Sequence, residues 1–146
     1  MGKIRRALGL MSGTSMEGID IALIETDGET LVRRVAAGGV AYEPAFRDRL
    51  RGALSDAKAI VTRDQRPGDL AAVEAELTRR HAAAALKFIG DRMLQPSAID
   101  VIGFHGQTVL HRWEEAPVDF SDLEADGAIA KPPAPTQPFP IGRMLT

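Results

Sequence analysis

The sequence contains no cysteine, which excludes disulfides, thiolate metal centres and a cysteine nucleophile together, and a cytoplasmic location is the natural expectation. Charge of one sign is not in excess either. The formal net charge is −2, so nothing in the bulk balance points to nucleic acid or to an anionic membrane as partner. Long hydrophobic runs are missing as well. The apolar stretch from Ala7 to Met11 that follows the basic residues Lys3, Arg5 and Arg6 is too short for the apolar core of a signal peptide. No segment reaches the roughly 20 residues a membrane helix needs. No internal repeat is present.

What is there is an ordinary globular composition: 146 residues, 45% hydrophobic and 26% charged, enough for one domain that buries roughly two-thirds of the surface its unfolded chain exposes. Residues 4 to 12 read as a first strand. The alternation of Ile19, Ile21 and Leu23 predicts a second, buried on both faces towards its middle and ended by the turn pair Asp27-Gly28. Leu31 to Tyr42 reads as a third strand with a weak middle at Gly38-Gly39, completing a meander. Pro44 can open a helix carrying Phe46, Leu50 and Leu54 on one face, with residues 57 to 66 a connection in which Ala59-Ile60-Val61 is a stub of regular structure. Leu70, Val73, Leu77, His81, Ala84 and Phe88 form one stripe of a longer helix that ends near Leu94, ahead of Pro96. Ile99 to Phe104 is a short buried strand. The predicted order is therefore strand, strand, strand, helix, helix, strand. Residues 1–112 form one lobe. Residues 113–146, with five prolines between Pro132 and Pro140, are expected to be an irregular, largely extended tail.

The most informative stretch is the turn between the first two strands. Gly13 and Gly18 enclose Thr14, Ser15, Met16 and Glu17, so that hydroxyls and backbone N–H groups can converge on a small anion. A Walker A loop needs Lys-Ser or Lys-Thr after its second glycine, and Ile19-Asp20 stands there instead. Gly13-Thr14-Ser15-Met16 copies the surroundings of a subtilisin-like serine nucleophile, but such a serine opens a helix late in its domain, whereas Ser15 comes early and precedes a strand. A plain hairpin turn and a nucleotide phosphate loop both remain open. The C-terminal end of the 99–104 strand delivers His105-Gly106-Gln107-Thr108, where His105 by itself reads first as a hydrogen-bonded structural residue and second as a ligand contact. His105 and His111 lack the spacing of a zinc site. His81, on the apolar stripe of the long helix, reads as a buried structural histidine. The arginine clusters at 33–34, 47–51 and 79–80 read as solvated faces interspersed with acids.

The segments GLMSGTSMEGIDIALIETDG and IGFHGQTVLHR resemble the signatures of the anhydro-N-acetylmuramic acid kinase family, close to MSGTS-x-DG-x-D and HGQT, in the same order and over roughly residues 7 to 112. The resemblance implies an α/β fold of the actin, sugar-kinase and heat-shock ATPase superfold, of which this chain would hold the first lobe, incomplete. It implies an ATP-dependent kinase that converts 1,6-anhydro-N-acetylmuramic acid, with water, to N-acetylmuramic acid 6-phosphate in peptidoglycan recycling. Under it, Gly13, Thr14, Ser15, Met16, Glu17, Gly18, Ile19 and Asp20 would contact ATP, with Asp20 reaching Mg²⁺ directly or through water. His105, Gly106, Gln107 and Thr108 would face the amino-sugar substrate. Glu17 departs from the aspartate usual in the family. The family's later strand and its base-bearing glycine-rich segment do not follow Arg112, so the catalytic base is expected beyond Thr146 and the chain alone is expected to be inactive. A homodimer is compatible with this picture. The alternatives are a non-catalytic nucleotide- or sugar-binding remnant and, less favoured, a serine hydrolase using Ser15.

Overall fold

The computed structural model describes residues 2–111 with their side chains and the backbone of residues 139–141. Three strands, β1 (Arg5–Ser12), β2 (Gly18–Thr26) and β3 (Val32–Ala41), form the anticipated meander, followed by α1 (Pro44–Asp56), α2 (Leu70–Asp91) and β4 (Val101–Phe104). The sheet order is β3-β2-β1-β4, with β4 parallel to β1 and the other pairs antiparallel. Two further short strands, β5 (Gln107–Leu110) and β6 (Phe139–Ile141), pair with each other. Neither was anticipated, because four and three residues carry no readable period. The rest of the expected irregular tail, 113–138 and 142–146, lies outside the described residues.

Period-two alternation decides which side of the sheet is covered. Leu8 and Leu10 of β1 and Ile19, Ile21 and Leu23 of β2 are buried beneath the helices. The intervening residues Gly9, Asp20 and Ala22 are exposed on the opposite side. The expectations that β2 is buried on both faces and that 99–104 is a buried strand are thus corrected: among the described residues only one face of β2 has a layer packed on it, and Val101 and Ile102 of β4 are exposed at 49% and 50%. The third strand is not weakened at Gly38-Gly39. Its irregularity sits at the register shift opposite Leu23 and Ile24, where Leu23 pairs with Ala36 and Ile24 with Arg34, leaving Val35 as the extra residue. Gly38 instead admits the end of α2, since a Cβ there would lie 3.4 Å from both Phe88 and Arg92.

Pro44 stands in the first turn of α1, whose buried residues are Phe46, Leu50 and Ala53, and all six stripe positions of α2 are buried. A 3-10 turn at Ala57–Ala59 is the regular stub in the connection, shifted slightly towards the N-terminus of the place foreseen. The long helix stops at Asp91, short of Leu94, because Met93 enters the left-handed region at φ 51° while the N–H of Leu94 turns back to the Ile89 carbonyl at 3.1 Å. Most clustered arginines are paired at or near the surface, Arg33 with Glu25, Arg49 with Asp69 and Arg80 with both Glu43 and Glu76, but Arg47 departs from the expected solvated face: it is half-buried and its Nε meets no partner among the described residues. The exposed pair of Arg49 and Asp69 adds little stability. Among the described residues no helix is long and apolar enough to cross a membrane.

Candidate functional site

Parallel pairing of β1 and β4 brings the two candidate segments to one edge of the sheet. Both strands end there, and the N–H of His105 extends the ladder by donating to the Leu10 carbonyl at 3.0 Å. The chain then turns at Gly106, φ 64°, a left-handed conformation that glycine takes without a Cβ penalty, and enters β5. Ligands collect at such strand ends because the backbone there leaves N–H groups and loop side chains unused by the sheet.

The first segment is a tight turn in which Met16 N–H donates to the Gly13 carbonyl at 3.1 Å, with Thr14 and Ser15 at its centre. Thr14, Ser15, Glu17 and Asp20 are exposed, whereas Ile19 is in the core and Met16 packs against it. Of the eight residues expected at ATP, the structure therefore gives the Ile19 side chain to the core and packs part of Met16 against it, while Ile19 itself is paired with Ser12 on one side and Val40 on the other. Met16 adopts φ 55°, costing about 1–2 kcal/mol for a residue with a Cβ. Among the described residues the N–H groups of Thr14 and Ser15 meet no acceptor. A Cβ added to Gly13 would have nothing nearer than the Ser15 hydroxyl at 4.0 Å, so the approach to the backbone is open. Unused donors on an open turn suit the oxygens of a phosphate. Asp20 sits on the uncovered face at the loop end of β2. No group of three or more His, Asp or Glu side chains able to hold a metal exists among the described residues. A single carboxylate suits Mg²⁺, which takes its other ligands from phosphate and water.

In the second segment His105 is exposed, with Nδ1 3.1 Å from the Gly106 carbonyl oxygen, and Thr108 is half-buried. Gln107 is 2% exposed. Its Oε1 accepts the Ser12 hydroxyl at 2.7 Å, and Ser12 in turn accepts the Tyr42 hydroxyl at 2.9 Å. The Tyr42 N–H also donates to the Glu17 carbonyl at 2.9 Å. Burial raises the Tyr42 phenol above its ordinary value, the bond to Ser12 opposing this, and its ring meets Phe46 edge-on at 5.1 Å. Sequence reasoning passed over Ser12 and Tyr42. Ser12 belongs to the same SGTS run as the turn, but a serine closing a strand carries no signal of its own until its cross-strand partner is known.

Ser15 is not bonded to a histidine among the described residues, so no nucleophile-base pair supports the hydrolase alternative. His81 is 2% exposed; its Nδ1 lies 2.8 Å from the Leu77 carbonyl oxygen and its ring meets Phe104 edge-on at 4.5 Å, as expected of a structural histidine. A cleft of about 210 Å³ between α2 and β3, lined by Gly38, Val40, Lys87, Phe88 and Arg92 among others, shares none of the loop residues.

Architecture and site together define a class: a mixed α/β layer with an open glycine-bounded turn and a second polar loop on one sheet edge, consistent with the N-terminal lobe of an α/β kinase. The family model for anhydro-N-acetylmuramic acid kinase matches residues 5–128. Proteins named anhydro-N-acetylmuramic acid kinase from Brucella canis and Agrobacterium fabrum are 54% and 53% identical over 116 residues, 80% of this chain and 31% of theirs. The relative of that name from Rhizobium etli is 50% identical over 115 residues, 79% of this chain and 31% of its own. The chain belongs to the anhydro-N-acetylmuramic acid kinase family. It spans about 31% of the length of these relatives.

Proposed function

We propose that this chain carries the nucleotide-phosphate turn and a sugar-facing segment of an ATP-dependent kinase converting 1,6-anhydro-N-acetylmuramic acid, with water, to N-acetylmuramic acid 6-phosphate in cell-wall recycling. The observation that supports this best is the convergence of both family signatures on one sheet edge, tied by the 2.7 Å bond between Ser12 and Gln107. In this reading the N–H groups and hydroxyls of Thr14 and Ser15 hold phosphate oxygens, with Gly13 and Gly18 letting the backbone come close. Asp20 provides the carboxylate for Mg²⁺, whose contribution when bound is to neutralise phosphate charge. His105, Gly106, Gln107 and Thr108 border the amino sugar, with the exposed His105 and half-buried Thr108 offering side-chain contacts. Glu17 keeps the charge of the family's aspartate with one more methylene, and its exposure leaves room for that length.

Positioning and charge neutralisation account for most of the catalysis in phosphoryl transfer, so a turn that only holds phosphate is already a functional part. No water-activating base is assigned among the described residues, so the reading is tested by binding. Isothermal titration of the purified chain with Mg·ATP and separately with 1,6-anhydro-N-acetylmuramic acid tests the reading. Heat of binding from each ligand is expected; silence with both would overturn it.

A further inference from the structure

Three buried or nearly buried polar groups link the two halves of the site: Ser12 and Gln107, each 2% exposed, and Tyr42 at 5%. Ser12 is the last residue of β1, directly before the turn; Gln107 is the first of β5, directly after Gly106. Tyr42 follows β3 and grips the turn twice, its N–H on the Glu17 carbonyl and its hydroxyl on Ser12. Donor counting sets the direction of the chain. Gln107 Oε1 can only accept, so it takes the single hydroxyl hydrogen of Ser12, and Ser12 in turn must accept from the Tyr42 hydroxyl. With burial holding the phenol above its ordinary value, the Tyr42 proton stays in place across the neutral range.

We propose that Ser12, with Gln107 and Tyr42, is a positioning residue that couples the glycine-bounded turn to the 105–108 segment, so that the two subsites are set together. Gln107 then acts on the sugar side through Ser12 and its chain neighbours, since its own carboxamide is committed and shielded. A buried hydrogen bond cannot exchange its partner for water at no cost, so a shift of Gly13 against a phosphate is resisted or transmitted at Gln107. The naming of the ligands rests on the function proposed above; the coupling itself does not.

Amide hydrogen exchange on the ligand-free 146-residue chain tests the coupling directly. Ser12→Ala is expected to speed exchange about tenfold, as for one lost buried hydrogen bond, in both segments together, read at the hydrogen-bonded amide of Met16 in residues 13–17 and of His105 in residues 105–108, while Ile19 to Leu23 keep their protection. Ser12→Thr, which restores the hydroxyl, should return both segments towards the wild-type rate. Acceleration confined to one segment, or spread over the whole sheet, would overturn the proposal. Should Ser12→Ala fail to fold, Tyr42→Phe, which retains the ring, should speed the same two segments by a smaller factor, and a local change alone would again refute it. Titration then separates this inference from the functional reading. Wild-type chain should bind Mg·ATP several-fold more tightly with the amino sugar present, and Ser12→Ala should bring that ratio towards one. Binding of both ligands with no mutual effect sinks the coupling, whereas no binding of either sinks the function and leaves the exchange result to decide the coupling.

Discussion

Gly18 carries the tightest constraint in the turn. A Cβ at this position would lie 2.3 Å from the Val40 carbonyl oxygen and 2.9 Å from the Ala41 Cα, backbone atoms that cannot swing aside. Gly18→Ala should therefore push β2 from β3 and cost about 1–3 kcal/mol, the usual range for overpacking, read as a lowered denaturant midpoint with an unchanged slope. The glycine was legible as a loop boundary, but its reason was not: the sequence suggests access for a ligand, and the structure adds the closeness of a neighbouring strand. His81 offers a second test. Burial holds its imidazole below the ordinary value of 6.5, the bond to Leu77 opposing this. Above that value both folded and unfolded chains carry it neutral. As pH falls through it, the unfolded chain takes up a proton that the folded chain refuses, so stability drops until the folded-state value is reached. The melting temperature of the wild type should fall between pH 7 and pH 5, and His81→Leu should show a smaller fall.

At the scale of elements, apolar periodicity placed β2 and both helices, because each covers at least two repeats of its period and one face must meet a core, whereas β3 has no buried residue and was read from its residue types. Ends were less legible. The stop of α2 is set by Met93, which takes φ 51° with 91% of its surface exposed. Since that side chain packs against little, Met93→Gly should remove the left-handed strain without loss of burial and stabilise the protein by about 0.5–1 kcal/mol, measured by denaturant unfolding. Met16 has the same backbone sign at φ 55° but is packed against the core, so the equivalent change there would trade strain against buried surface. The short strands β5 and β6 depend on pairing with each other across distant parts of the chain, information that local periodicity does not contain.

For the whole molecule, the consequential event is the parallel docking of β4 beside β1, which joins segments nearly a hundred residues apart. The site it makes predicts an Mg²⁺-dependent nucleotide affinity. Asp20→Asn should reduce the gain in ATP affinity on adding Mg²⁺ while leaving metal-free binding equal or tighter, because a negative charge near the phosphates is gone. Titrations with and without the metal check this; an undiminished Mg²⁺ effect would remove Asp20 from its role. The sequence by itself determined the class of elements, the stripe of α2 and the identity of the two signatures, since these rest on local periodicity and on residue types in fixed order. The local pattern left open whether Gly13 to Asp20 was more than a hairpin turn; the family resemblance then implied an ATP contact there and a sugar contact at His105 to Thr108. Only the tertiary structure decided that Gly13 to Asp20 and His105 to Thr108 share an edge, that Gln107 faces inward, and that Ser12 and Tyr42 stand between the loops. Strand pairing and burial are set by contacts between distant residues, and no stretch of sequence holds both partners of such a contact.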